Sequence, residues 1–227
     1  MTKFKNVMGK YYFTDQKTIS DFSVENIEEL YDKGYVFTRL AKGTMNQTRS
    51  IRIDLSKFEL SSENRRVLKH VEGLEMTKSE VPMKFEDYDW EIAKLAKDFY
   101  TAKFGSKTFT ANKARELLTN PFKSNYNAIL KYTLADEKVG YAIIFETDNI
   151  FHYAHPFYYH EKFNNNFGMG MMLLAITIAK ESRKKYFYIG SASKPEDKYK
   201  FQFKGLEWYD WNTWSNDIEK LKATITI

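Results

Sequence analysis

The 227-residue chain has no cysteine. Disulfides, thiolate metal sites, iron–sulfur ligation and a cysteine nucleophile are therefore excluded. It has only four prolines and ten glycines, with no linker rich in either, no internal repeat and no low-complexity tract. Its longest apolar stretch, Met169 to Ala179, falls short of the roughly 20 residues a membrane helix needs. The start, Met1-Thr2-Lys3-Phe4-Lys5-Asn6, carries charge with no apolar segment behind it, unlike a secretory leader. A cytoplasmic protein with no membrane partner is expected. Charge of one sign is not dominant either. A net charge of +5 permits a nucleic-acid partner without requiring one. What is present is an apolar content of 43% and an aromatic content of 17%, which fits a Tyr/Phe-rich core. The length suits one large domain or two lobes.

Periodicity supplies an outline. Ser23 caps a helix through Tyr31 with Ile27, Leu30 and Tyr31 inward, and Gly34 stops it. Tyr11–Phe13, Tyr35–Leu40 and Ser50–Leu55 read as strands. In the last, Ile51, Ile53 and Leu55 face one way and Arg52 and Asp54 the other. Ser61 or Ser62 caps a helix bearing Val67, Leu68 and Val71, and Glu75 to Val81 looks extended. Asp89 to Phe104 is a helix with Trp90, Ala93, Leu95 or Ala96, and Phe99 inward; Thr110 to Leu118 is another. Strands follow at Ala128–Leu134, Val139–Glu146 and Ile150–Phe157, the first two joined as a hairpin. Met169 to Lys184 is a helix, apolar nearly all round at its start and so buried there. Tyr186–Gly190 and Phe201–Tyr209 are strands, and Ser215 to Ala223 a final helix. A soft boundary near 122–125 divides an N-terminal α/β lobe (1–122) from a catalytic core (123–227), unless the two form one unit.

Two stretches carry the chemistry. In the C-terminal half a hairpin, a strand, a glycine-bearing loop, a buried helix and another strand follow the order of a GCN5-related (GNAT) acyltransferase core. A loop entering a helix N-terminus offers backbone N–H groups to an anionic donor, and Asn166, Gly168 and Gly170 stand there. In the N-terminal half Arg65, Arg66 and Lys69 lie on one helix, with Arg49 and Arg52 upstream. Arginines in a first turn oppose the helix dipole, so local stability does not explain them; a solvated face competes with phosphate contact.

With these residues in view, the chain resembles the aminoacyl-tRNA–protein transferases of the arginyl/leucyl type. The segment Ile27-Glu28-Glu29-Leu30-Tyr31-Asp32-Lys33-Gly34-Tyr35, then Arg52-Ile53-Asp54, Phe58, Ser61 and Asn64-Arg65-Arg66-Val67-Leu68, is similar to that family's first region. Asn166-Phe167-Gly168, Tyr188-Ile189-Gly190-Ser191 and Lys198-Tyr199-Lys200-Phe201-Gln202-Phe203 are similar to its second. The resemblance implies an α+β, GNAT-like fold with a mixed sheet flanked by helices. It implies charged tRNA as donor, a protein or peptide N-terminus as acceptor, and no cofactor or metal. The family's Cys-x-x-Cys is replaced by Met45-Asn46-Gln47-Thr48, which rules out any thiolate-bound group there.

The implied reaction is aminolysis of an ester. It needs a neutral amine, donors for the oxyanion and a proton for the leaving ribose oxygen. Backbone N–H groups along Phe151 to His155 are candidate oxyanion donors. His152 and His155, expected to face one way, Tyr199 as acid and Glu146 as proton acceptor are the candidate catalytic side chains. Asn166, Gly168, Gly170, Arg65, Arg66 and Lys69 are candidate donor contacts. Lys198 and Lys200 are candidates for the tRNA end or the acceptor. An acyl-CoA-dependent GNAT enzyme and a non-catalytic tRNA-binding relative are the alternatives.

Overall fold

The computed structural model describes residues 5–7, 11–163 and 166–225. In chain order its elements are β1 (Lys5–Val7), β2 (Tyr11–Phe13), β3 (Asp15–Thr18), α1 (Val24–Asp32), β4 (Tyr35–Phe37), β5 (Thr44–Gln47), β6 (Ser50–Asp54), α2 (Ser62–His70) and β7 (Leu74–Glu80). There follow α3 (Trp90–Phe104), α4 (Ala111–Thr119), β8 (Ala128–Leu134), β9 (Glu137–Glu146), β10 (Ile150–Tyr158), α5 (Phe167–Glu181), β11 (Tyr186–Ser191), β12 (Leu206–Tyr209), β13 (Trp214–Ser215) and α6 (Ile218–Ile225). Among the described residues no helix is long and apolar enough to cross a membrane.

The fold is α+β. An eight-stranded mixed sheet runs β13-β12-β6-β11-β10-β9-β8-β7, and a three-stranded sheet runs β3-β5-β4. Within the large sheet β10 and β11 are parallel and the other pairs antiparallel. The order hairpin, strand, buried helix and parallel strand is that of a GNAT-like core: β8–β9, β10, α5 and β11. The sheet draws on both sides of residue 122. β6 lies between β11 and β12, and β7 pairs with β8.

Local signals account for most of the boundaries. Ser23 accepts from the Asn26 N–H, and Ser61 forms a reciprocal capping box with Asn64. Gly34 follows α1 at φ +77°, and a Cβ there would lie 2.2 Å from the Tyr209 ring. Ala135 and Asp136, both at positive φ, make the two-residue turn between β8 and β9. In α5, Met171, Met172, Leu173, Ala175, Ile176 and Ala179 are buried, while Leu174 and Ile178 are half-buried.

Three expectations are corrected. Trp90 is 63% exposed. The stripe of α3 is Ile92, Ala93, Leu95, Ala96, Phe99 and Tyr100, and at 3.6 residues per turn Trp90 falls nearly opposite its centre. Arg52 is buried, because β6 is an interior strand and both its faces are covered. The segment from Phe201 is not one strand: Pro195–Gln202 forms a 3₁₀ helix, and the strand begins at Leu206. Pro195 opens that helix, and Asp197 Oδ2 accepts from the backbone N–H groups of Ser193 and Lys194. Where the resembling family has cysteines, Met45 and Thr48 are fully buried on and beside β5, and Thr48 Oγ1 lies 2.8 Å from Ser50 Oγ.

Candidate functional site

The site is defined by where β10 and β11 part. They pair only at Ile150–Tyr186, Phe151–Phe187 and His152–Tyr188. Beyond this, both strands are irregular against their outer neighbours. β10 has an extra residue at Ala154, between Tyr153 opposite Ile144 and His155 opposite Ile143. β11 has one between Tyr188 opposite Arg52 and Ser191 opposite Ser50, with Gly190 at φ +83°. Bulges bend and twist their strands, so two at one level open the sheet into a cleft.

The first bulge also sets the histidines. Residues three apart on a regular strand face opposite ways. His152 and His155 lie opposite Phe145 and Ile143, two apart on β9, so both project from one face. Their surroundings differ. His152 is fully enclosed, its Nδ1 2.9 Å from the Tyr31 hydroxyl, and burial lowers its pKa to about 3. The Phe37 N–H donates to Tyr31 Oη at 3.5 Å, leaving the Tyr31 proton for His152 Nδ1. His155 is half-buried, with Nε2 2.9 Å from Tyr126 Oη and Nδ1 3.5 Å from Tyr100 Oη. Burial first, then Arg39 and His152, hold its pKa well below the usual value, so it is a neutral imidazole linking two phenols.

Tyr199, 52% exposed, lies on the 3₁₀ segment after β11, near enough to Tyr100, Tyr153 and Tyr158 to act on them electrostatically. Burial raises all three phenols above their usual range, and the nearby Tyr199 adds to this. Cations surround the mouth. Arg39 lies over the Phe109 ring at 5.2 Å and donates to the Thr108 carbonyl at 2.7 Å. Lys103 lies over Phe99 and Tyr158, and Lys194 over Phe104 at 5.4 Å. Arg49 donates to the Ala192 carbonyl at 3.3 Å. Among the described residues none of these four has a carboxylate within 4.0 Å.

The other sequence-derived candidates lie apart from the opening. Glu146 pairs in register with Phe151, at the end of β10 away from the cleft, and bridges Lys78 and Lys184. Lys200 is buried instead of facing solvent: Nζ donates to Asp197 at 2.9 Å and to the Ser191 carbonyl at 2.7 Å, tying β11 to the 3₁₀ segment. Lys198 is exposed. On α2, Arg65 donates to its own chain at Leu60, Arg66 pairs with Glu63 at 2.6 Å, and Lys69 is exposed. These side chains therefore do not merge into one basic face with Lys200. Asn166 precedes α5 without a side-chain capping bond.

The two glycines of α5 fit against neighbours. A Cβ on Gly168 would lie 3.0 Å from the Tyr158 ring, and one on Gly170 would lie 2.6 Å from Val71 at the end of α2. Gly170→Ala should therefore cost about 1–3 kcal/mol, and Val71→Ala in the same chain should restore most of it. Urea unfolding of the two variants checks this; a Gly170→Ala protein as stable as the parent would mean that α2 yields freely.

Sequence reasoning missed Tyr100, Tyr126, Arg39, Lys103 and Lys194. Nothing in local pattern marks them, since they come from four separate segments. The one usable signal was Phe104 beside Lys103 at a helix end, an aromatic that the apolar stripe of α3 does not need.

No family model and no curated protein matches the chain. Among solved structures it is similar to a C-terminal DUF2156 domain from Agrobacterium fabrum, at 14% identity over 79% of this chain and 55% of that one, with a TM-score of 0.46. It is also similar to L-PGS from Bacillus licheniformis (16%, 88% and 69%, TM-score 0.47) and to FemX (10%, 76% and 61%, TM-score 0.45). The chain thus spans little more than half of the Agrobacterium structure. At these identities and scores, no residue's role follows from any of them.

Proposed function

We propose that this chain is an acyltransferase that moves an amino acid from charged tRNA to the α-amine of a protein N-terminus. The observation that carries the reading is the cleft between β10 and β11, with an exposed phenol near it, a neutral histidine behind it and unneutralised cations at its mouth. The amine nitrogen bonds to the ester carbonyl carbon and the bond from that carbon to the ribose oxygen breaks. The amine gives up one proton and the ribose oxygen gains one. An aminoacyl ester is already reactive, so positioning, an oxyanion donor and a proton path suffice.

Backbone N–H groups between Tyr153 and His155, turned by the bulge, receive the oxyanion. Tyr199 protonates the ribose oxygen and recovers its proton from the amine. His155 acts through Tyr100 as a positioning residue. His152 and Glu146 support the sheet from behind and from its far end, and Lys200 holds the Tyr199 segment in place. Asn166, Gly168 and Gly170 form the end of α5 nearest the donor. Arg65, Arg66, Lys69 and Lys198 offer charge to the tRNA backbone further out.

An acyl-CoA donor is the second reading. The N-terminus of α5 favours it, because a helix start offers first-turn backbone N–H groups to an anion. Against it, Tyr158 fills the space beside Gly168.

Melting and peptide-modification assays with charged tRNA and acetyl-CoA in parallel separate the two. Charged tRNA should stabilise the protein and extend a peptide by one residue, read by mass spectrometry; acetyl-CoA should do neither. Tyr199→Phe should lower kcat about a hundredfold with little change in KM. Saturable acetyl-CoA binding with an acetylated product would replace the first reading by the second.

A further inference from the structure

We infer that the mouth of this cleft holds a nucleotide, its base stacked on Phe104 and Tyr199 and its phosphates met by Lys103, Lys194 and Arg39. The assignment deepens the reading above and rests on it for the position of the reacting ester beside Tyr199.

Two features of the mouth suit one kind of ligand. The first is exposed aromatic surface. Phe104 and Tyr199 are both 52% exposed; the Phe104 ring centroid lies 5.5 Å from that of Tyr100, and Tyr199 is near enough to Tyr100 to act on it electrostatically. Trp90 and Phe122 are also exposed, but neither has a cation over its ring among the described residues, whereas Phe104 carries Lys194. The second is charge. Lys194 Nζ lies 5.4 Å from the Phe104 centroid, Lys103 Nζ 5.0 Å from Phe99, and the Arg39 guanidinium 5.2 Å from Phe109. Phe99 and Phe109 are 5.6 and 4.8 Å from Tyr100, so the cations ring a single aromatic cluster. The C-terminal end of α3 accounts for Lys103 through the helix dipole. It does not account for Lys194 and Arg39, which come from other segments. The neighbouring carboxylate of Asp197 is engaged by Lys200 and two backbone N–H groups.

Cations held against ring faces keep their charge available, and a flat aromatic platform takes any base. A ligand with one π-face and adjacent negative charge satisfies both features. Inorganic phosphate lacks the face, and an acidic peptide lacks the ring. A mononucleotide, coenzyme A and an RNA 3′ end share the required chemistry, and binding measurements tell them apart.

The test is titration calorimetry on the full chain at low salt with AMP, coenzyme A and a single-stranded RNA tetramer ending in adenosine. At least one should bind saturably. The Phe104→Ala, Lys194→Ala variant should bind at least tenfold more weakly, with an unchanged melting temperature and a salt slope smaller by about one. Tightest binding of the RNA would place the donor's 3′ end here; tightest binding of coenzyme A would place the alternative donor here. No saturable binding of any of the three, or equal binding by the variant, overturns the site. Transfer assays separate the two failures. Nucleotide binding that the variant loses, in a protein that transfers nothing, keeps the site and removes the transfer reading. Transfer with an unmoved KM for tRNA in the variant does the reverse.

Discussion

Replacing Arg52 by alanine should destabilise the protein by about 3–5 kcal/mol and lower its melting temperature by roughly 6–20 °C. The guanidinium lies between the rings of Tyr186 and Trp214, at 3.7 and 3.9 Å from their centroids. It donates to Asp32 at 2.7 Å, to Glu207 at 2.8 Å and to the Tyr188 hydroxyl at 3.4 Å. Asp32 is largely exposed and would rehydrate; Glu207 is 18% exposed and would keep only the exposed Lys57, 3.7 Å away. The two rings would also face a void. Thermal or urea unfolding gives the value. Arg52→Met combined with Glu207→Gln should recover most of the loss, because it removes the poorly paired charge and fills the slot. A loss below about 1 kcal/mol for Arg52→Ala would mean that the fork and the stacking add little beyond an exposed ion pair.

Stability should also fall steeply between pH 7 and pH 5. Burial lowers the pKa of His152 to about 3 and that of His155 well below the usual value of 6.5. Below about pH 6.5 the unfolded chain takes up protons at both positions and the folded chain does not. The stabilisation is therefore complete above pH 6.5 and is lost as pH falls toward the folded values. His152, whose folded value lies far below this window, loses about 1.4 kcal/mol of stabilisation per pH unit and so roughly 2 kcal/mol by pH 5, and His155 adds a loss of the same sign. Carboxylates with lowered pKa, such as Asp54 and Asp210, add to the slope only at lower pH. Urea midpoints across the range measure it. His152→Gln keeps a hydrogen-bonding group near Tyr31 but cannot titrate, so its slope should be smaller than that of the parent by about 1.4 kcal/mol per pH unit whatever its absolute stability. Equal slopes in the two proteins would show that His152 titrates normally in the folded state.

Elements with a local cause were legible beforehand. Ser23 and Ser61 announced their helices through side-chain caps, and β8 has the bounds its alternation predicts. The apolar start of α5 required burial, and it is buried. Elements whose faces are set by neighbours were not. Arg52 alternates with isoleucines as an outward residue would, yet β12 covers it from the far end of the chain. Met45 to Gln47 carries no strand signature of its own and becomes β5 because β3 and β4 lie on either side.

The candidate site divides the same way. Tyr199 and His155 were candidates in the sequence, and the order of elements that makes β10 and β11 parallel neighbours was legible there. Composition alone excluded thiolate chemistry and a helical membrane span of the usual length within the chain. Which histidine borders the cleft was a tertiary decision. One extra residue at Ala154 turns both histidines to a single face, and enclosure by Tyr31 leaves only His155 near the opening. Tertiary packing likewise withdrew Lys200 into an ion pair and brought Arg39, Lys103 and Lys194 to one aromatic cluster. A chain specifies turns, caps and periodic faces through neighbours a few residues apart. Which charge is left unpaired, and which ring stays exposed, depends on segments dozens of residues away.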